Sequence, residues 1–286
     1  MLLVHKNEAQ VNRLIKHLSK DFDVYVHIDK NSSIKILNAE KVFVYKKYKT
    51  YWGSFNQIMA TLYLLKKAYS KGYDRYLLIS GQDLPIRSNA EIKDFFKNNE
   101  KEYVDIAKIP RSDGWPCMTR LTKYHPSKPI WQIKKYDILS RCLRKMFHTK
   151  ISIRGLIFEK ITKNKYRPLD YDFYGGANWT NFTHNCVKKI FEYFQKDKKY
   201  IQRFRWTICA DEIFYQTIIH KIAGLDVENN CLRYIDWENG PEYPRTLRMD
   251  DYEKIMQSNG LFARKFDVTV DTKIVDKIYE KIGKEA

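Results

Sequence analysis

Cysteine is scarce: five residues, at 117, 142, 186, 209 and 231, odd in number and with no C-x-x-C pair. This excludes a disulfide framework and the usual zinc spacings, and it reads as free thiols in a reducing compartment. Glycine and proline are also few, 11 and 8, and no Gly/Ser linker, repeat or low-complexity tract divides the 286 residues. No run of eighteen apolar residues exists, which excludes a membrane-spanning helix. The opening MLLVHKNEAQ turns polar too soon for a signal peptide, so the expectation is a cytoplasmic protein, soluble or peripheral to a membrane. G-x-G-x-x-G, G-x-x-x-x-G-K-[ST], H-E-x-x-H and G-x-S-x-G are all missing. Dinucleotide folds, P-loop NTPases, zincins and α/β-hydrolases therefore lack their signatures. Acid is in short supply as well, 34 Asp and Glu against 52 Lys and Arg, leaving a net charge of +18. What is present in quantity is apolar and aromatic: 44% hydrophobic residues and 21 tyrosines exclude a disordered chain. The tyrosines point to a surface that handles sugars, bases or lipid headgroups.

The charge is local. Between Thr119 and Arg167 lie 14 basic residues opposed only by Asp137 and Glu159. Leu139, Leu143, Met146 and Phe147 recur there at helical spacing among Lys134, Lys135, Arg141, Arg144 and Lys145. Such a helix suits an anionic membrane surface, and equally a solvated face whose apolar stripe packs on its own domain. Nucleic acid is not expected, because no helix-turn-helix, zinc-finger, RRM or KH signature occurs.

Along the rest of the chain, strand and helix patterns alternate. Strands are expected at Leu2–His5, Asp23–Ile28, Val42–Tyr45, Tyr76–Ser80, Gly175–Phe182 and Leu232–Trp237. Helices are expected at Glu8–Ser19, Ser54–Tyr69 with Ser54 as N-cap, Asn89–Phe96, His184–Phe194, Asp211–Ala223 and Asp250–Gln257. This alternation predicts one continuous α/β domain over 1–286 with a mainly parallel sheet flanked by helices. Ligands bind at the carboxyl ends of such strands, which is where His27-Ile28-Asp29 and Ser80-Gly81-Gln82-Asp83 fall.

Individual motifs are ambiguous. Asp83 after a strand-end glycine suits a grip on sugar hydroxyls, or a plain turn. Asp21/Asp23 and Asp170/Asp172 match D-x-D, the pattern that bridges a divalent cation to a diphosphate. The first pair precedes a strand and the second sits in a loop, so both read as structural. Asp211-Glu212 opens a helix; one acid suffices as a cap, which leaves the other free to serve as a general base. Arg264-Lys265, with Arg245 upstream, offers cations that can neutralise a leaving diphosphate in place of a metal, or ordinary surface charge.

The order of these segments is more specific than any one of them. VHIDK, YWGSFNQI, LLISGQDLPIRSN, GGANWTNFTHNCVKKI, ADEIFYQTII and LFARKFD follow one another as in a single family. The chain resembles the core-2/I-branching β-1,6-N-acetylglucosaminyltransferases, relatives of the peptide xylosyltransferases, from about Val4 to Asp267. The resemblance lapses over roughly Pro126–Tyr166, inside the basic segment. It implies a GT-A-like fold, a UDP-sugar donor, inversion at the anomeric carbon and no metal or other cofactor. Residue by residue, it implies Glu212 as catalytic base and Lys265 as the diphosphate cation. Arg245 is its partner, with Arg248 as competitor, because the spacing to Asp251 is shorter than in the animal enzymes. His27 and Asp29 match the nucleotide end; Asp83, Asp105 and Trp179 match positions around the sugar and acceptor.

The resulting expectation is a glycosyltransferase that moves N-acetylglucosamine to a glycan hydroxyl in bacterial surface polysaccharide synthesis. The acceptor is free or lipid-linked, with an anionic membrane surface as a further partner. Transfer of xylose or another sugar on the same scaffold is one alternative. A non-catalytic module that binds glycan or polyanion through the basic segment is the other.

Overall fold

The alternating pattern folds as the sequence requires, with the strands sandwiched between helices. The computed structural model describes residues 1–112, 115, 117–125, 158, 160–163, 165–238 and 244–284. The basic helix expected around Leu139–Phe147, most of the 119–167 segment, and Cys142 lie outside them. The first half comprises β1 (Leu2–Val4), α1 (Glu8–Leu18), β2 (Val24–Ile28), β3 (Val42–Tyr45), α2 (Phe55–Tyr69), β4 (Arg75–Leu77), β5 (Ile79–Ser80), β6 (Asp83–Pro85), α3 (Asn89–Phe96), β7 (Glu102–Val104), β8 (Ala107–Lys108) and α4 (Cys117–Thr122). The second half comprises β9 (Tyr174–Gly175), β10 (Thr180–Thr183), α5 (His184–Lys196), α6 (Tyr200–Arg203), α7 (Asp211–Lys221), β11 (Val227–Asn229), β12 (Arg233–Ile235), α8 (Tyr252–Gln257), β13 (Phe262–Arg264) and α9 (Thr272–Lys284).

The first sheet is parallel throughout, in the order β3-β2-β1-β5. The strand expected at Tyr76–Ser80 changes partners midway. β4 pairs with β10, β5 pairs with β1, and the Leu78 N–H between them reaches the Thr180 carbonyl at 2.9 Å. The parallel sheet thereby passes into a second one ordered β11-β7-β10-β4. The expected strand Gly175–Phe182 is likewise interrupted. Gly176 packs so closely on the Asp105 carbonyl that a Cβ there would lie 2.1 Å from its oxygen. β9 and β10 are the two remaining pieces.

Alternation within the strands divides the core in two, since successive side chains leave a strand on opposite faces. Leu2, Val4, Val24, Val26 and Ile28 meet α1 through Val11, Leu14, Ile15 and Leu18. The same cluster takes α9, whose Ile274, Val275, Ile278 and Ile282 are fully buried. That helix was not foreseen, although each buried aliphatic stabilises the fold by about 1.5–3 kcal/mol. The opposite face receives α2, α5 and α7 around Tyr200, Phe204 and Phe214. Ile213 to Ile219 are buried without interruption, so α7 runs through the interior. No helix among the described residues is long and apolar enough to cross a membrane.

Candidate active site at the carboxyl ends of the strands

β13, part of the LFARKFD segment, is a strand and not the loop its polar end suggests. It runs antiparallel to β6 with Arg264 opposite Asp83. Asp83 is fully buried. Its Oδ2 accepts from the Ser80 amide and hydroxyl, both at 2.5 Å, and its Oδ1 faces Arg264 Nε at 3.7 Å. The Arg264 guanidinium lies 4.1 Å above the Trp179 ring, which is itself buried. Asp83 therefore supports Arg264 more directly than it could grip a sugar hydroxyl. Burial lowers the Arg264 pKa, and the Asp83 carboxylate, followed more weakly by Glu212 and Asp211, opposes it.

The five residues Gly175–Trp179 gather the remaining groups. Gly175 lies against the Trp115 ring, with room for no Cβ. The Gly176 N–H donates to the Glu212 carbonyl at 2.9 Å, and the Ala177 N–H donates to Asp105 Oδ2 at 2.8 Å. Asn178 Nδ2 donates to Asp211 Oδ2 at 2.7 Å, and Trp179 carries Arg264. The chain enters α7 through Cys209 in the left-handed region, φ 48°, with its N–H on the Gly53 carbonyl.

At the start of α7 the two acids behave differently from the expectation that one of them caps the helix. The N-cap is Ala210, without a side-chain hydrogen bond. Asp211 is turned onto Asn178, and Glu212 accepts from Arg120 Nη1 at 2.6 Å. Burial and the neighbouring Asp211 push the Glu212 carboxyl up to about 7, against Arg120 and Arg264, which hold it down. Burial also raises Asp211. A carboxyl poised near neutrality with a third of its side chain exposed is suited to accept a proton from a hydroxyl.

The other pole lies at the ends of β1 and β2. His27 Nε2 accepts from the Tyr48 N–H at 3.0 Å, so the imidazole is neutral with its proton on Nδ1. Burial lowers its pKa in the same sense. Asp29 accepts from the Asn31 amide at 2.6 Å and from the Thr50 amide and hydroxyl at 2.8 and 2.5 Å. Both side chains thus hold the 48–50 loop over the strand ends. Lys265 follows Arg264 directly; burial, then Arg264 and Lys6, lowers its pKa. No ion pair or hydrogen bond engages its ammonium among the described residues. Burial and then Lys6 lower the pKa of His5, Asp29 opposes them, and Lys265 adds to the lowering. The Lys6 ammonium is already paired with Asp267 at 2.7 Å, which leaves Lys265 as the cation for an anion there.

Arg245 and Arg248 sit beside this pole, since the Leu247 N–H donates to the Lys265 carbonyl at 2.9 Å. Arg245 is fully engaged, by Asp236 at 2.5 Å and Asp251 at 2.6 Å. A diphosphate would have to share it with two carboxylates. Arg248 is exposed, and its backbone N–H donates to Asp251. Sequence reasoning missed Arg120, Asn178 and the central place of Arg264. Arg120 was legible only as one of many cations, and Asn178 stood unremarked inside GGANW.

A parallel sheet with charged groups collected at its strand ends, flanked by helices, defines a GT-A-like α/β fold. The chain belongs to the Core-2/I-branching enzyme family, whose model matches residues 1–258. It is 23% identical to the beta-glucuronosyltransferases GlcAT14B and GlcAT14A of Arabidopsis thaliana, over 97% and 99% of its length. It is 23% identical to xylosyltransferase 2 of Pan troglodytes over 96% of its length. The chain spans 60% of the two plant proteins and 32% of the xylosyltransferase.

Proposed function

We propose that this protein is an inverting, metal-independent glycosyltransferase that moves a sugar from a UDP-sugar to a glycan hydroxyl. Glu212 carries the reading: a half-buried carboxyl at the first turn of α7, raised to about 7 and backed by Arg120. Its carboxylate takes the proton of the acceptor hydroxyl as that oxygen attacks C1 of the donor sugar. UDP leaves from the opposite face, and Lys265 neutralises the charge growing on its β-phosphate. Asp105 and Trp179, held by the Gly175–Trp179 segment, flank the acceptor, while His27 and Asp29 shape the loop at the nucleotide end. Metal independence is supported by the engagement of three of the four D-x-D acids. Asp21 is bonded to Asn89 and Lys93, Asp23 to Tyr73, and Asp170 to Arg203.

N-acetylglucosamine is the first donor sugar proposed, in bacterial surface polysaccharide synthesis; the names of the relatives put glucuronic acid and xylose beside it. The test is UDP release from UDP-N-acetylglucosamine, UDP-glucuronate and UDP-xylose with a panel of free and lipid-linked acceptors, with and without EDTA. One donor should be used, and its turnover should be undiminished by the chelator. Glu212→Gln should keep UDP binding and lose transfer. Substantial transfer by that variant would remove Glu212 as the base, and a strict Mn²⁺ requirement would return attention to the D-x-D pairs.

A further inference from the structure

The 119–167 segment is not the only basic stretch. From Lys41 to Tyr73 the chain has seven lysines, six tyrosines and no Asp or Glu. Folding brings these residues together on one face, made by the end of β3, the loop that follows it, and the outer side of α2. Tyr63 is the centre. Tyr45 and Tyr48 meet it edge-on, with ring centroids at 5.4 and 6.2 Å. The Lys47 ammonium lies 4.5 Å from its centroid and the Lys67 ammonium 5.7 Å, with Lys67 also 5.9 Å from Tyr45. Lys47, Lys49, Lys66 and Lys67 are exposed, and among the described residues none forms an ion pair with a carboxylate. A lysine over a tyrosine ring keeps its charge and its hydrogen-bond donors available to a further partner.

The position of this face gives it meaning. At one end, the Tyr48 ring is stacked on His27 with centroids 6.0 Å apart, and Thr50 is bonded to Asp29. At the other, the Gly53 carbonyl accepts the Cys209 N–H just before Glu212. The strip therefore runs from the nucleotide pole to the turn that precedes the proposed base.

We propose that this lysine–tyrosine face receives an anionic acceptor glycan, a chain bearing carboxylate or phosphate groups. The inference rests on the transferase reading and names its substrate class. Half-buried tyrosine rings suit sugar rings, and the lysines beside them suit the charges between those sugars. Val44 and Trp52 project from the same stretch, so phosphatidylglycerol vesicles are the control that separates a bilayer from a glycan, while the Tyr48 and Tyr63 rings lie beneath ammonium groups.

The test uses the full chain and the Lys47→Ala/Lys66→Ala/Lys67→Ala variant. Binding is measured to hyaluronan oligosaccharides, a glycerol-phosphate polymer and neutral dextran at several salt concentrations. Phosphatidylglycerol vesicles and a single-stranded oligonucleotide are run alongside. The wild-type chain should bind one of the two anionic polymers at least about tenfold more tightly than dextran, and the active polymer tells carboxylate from phosphate. The variant should lose about tenfold, and its slope of log affinity against log salt should fall by about two. UDP binding and the thermal midpoint should stay at wild-type values. Equal binding by variant and wild type overturns the proposal, as does a lysine-dependent preference for vesicles or oligonucleotide. Loss of UDP binding in the wild-type chain, with lysine-dependent glycan binding intact, would sink the transferase reading and leave the anionic face standing.

Discussion

Removing Arg120 should move the pH at which the protein works. Glu212 acts as a carboxylate in the proposed reaction, so turnover must rise with pH through its pKa, which lies at about 7. Burial and Asp211 set that value high; the Arg120 guanidinium at 2.6 Å opposes them. An opposite charge at this range lowers a carboxyl by about one to three pH units. The Glu212 side chain keeps 33% of its surface exposed and solvent screens the pair, so the lower end applies. Arg120→Ala should therefore carry the acid limb of the rate profile from about 7 to about 8. At pH 7 the ionised fraction falls from about one half to about one tenth, a loss of about fivefold that disappears by pH 9. Arg120→Lys should hold the limb near its original place. The assay is UDP release at saturating substrates from pH 5.5 to 9.5. A limb that stays put, moves to lower pH, or leaves a deficit at pH 9 would refute the electrostatic argument.

Two further outcomes follow from the site. Lys265→Ala removes an ammonium that no ion pair engages among the described residues. It should weaken UDP binding by about ten- to a hundredfold in calorimetry, the loss of one charge-assisted contact; an unchanged affinity would take Lys265 off the diphosphate. Gly176→Ala would drive a methyl against the Asp105 carbonyl and displace the bonds to Glu212 and Asp105. It should cost about 1–3 kcal/mol in urea unfolding and most of the transfer rate, with UDP binding kept; full activity would show that the close approach is dispensable.

Much of the fold was legible because alternation and helical spacing report burial directly. β3 and α3 have the expected bounds, and α1, β2, α2, α5 and α7 fall within a residue or two of theirs. The strand expected at Tyr76–Ser80 was not divisible by eye, since its change of partner at Leu78 depends on Thr180, a hundred residues away. β13 was hidden because Arg264 reads as surface charge until the register sets it across from Asp83. Ser54 is the N-cap residue of α2 as expected, but its hydroxyl accepts from the Tyr51 amide and makes no capping bond to the helix. At the site, motif order singled out Glu212, Lys265 and Trp179, while the Arg120–Glu212 pair is a tertiary contact between residues 92 apart in the chain. Arg245 shows the reverse, a cation whose type suits a diphosphate but whose neighbours Asp236 and Asp251 already claim it.

The Gly175–Trp179 segment has one more consequence. Five consecutive residues touch the Trp115 ring, over which the Arg120 guanidinium lies at 4.8 Å, the backbone of Glu212 and the carboxylates of Asp105 and Asp211, and they supply the ring beneath Arg264. Peptide units so short have almost no slack, so a displacement of one of these groups is passed to the others. Positional shifts across the site should then be correlated, with Glu212, Asp211, Asp105 and Arg264 moving together and their spacings kept. Tolerance to drift comes from a shared ruler, not from stiffness of each group alone.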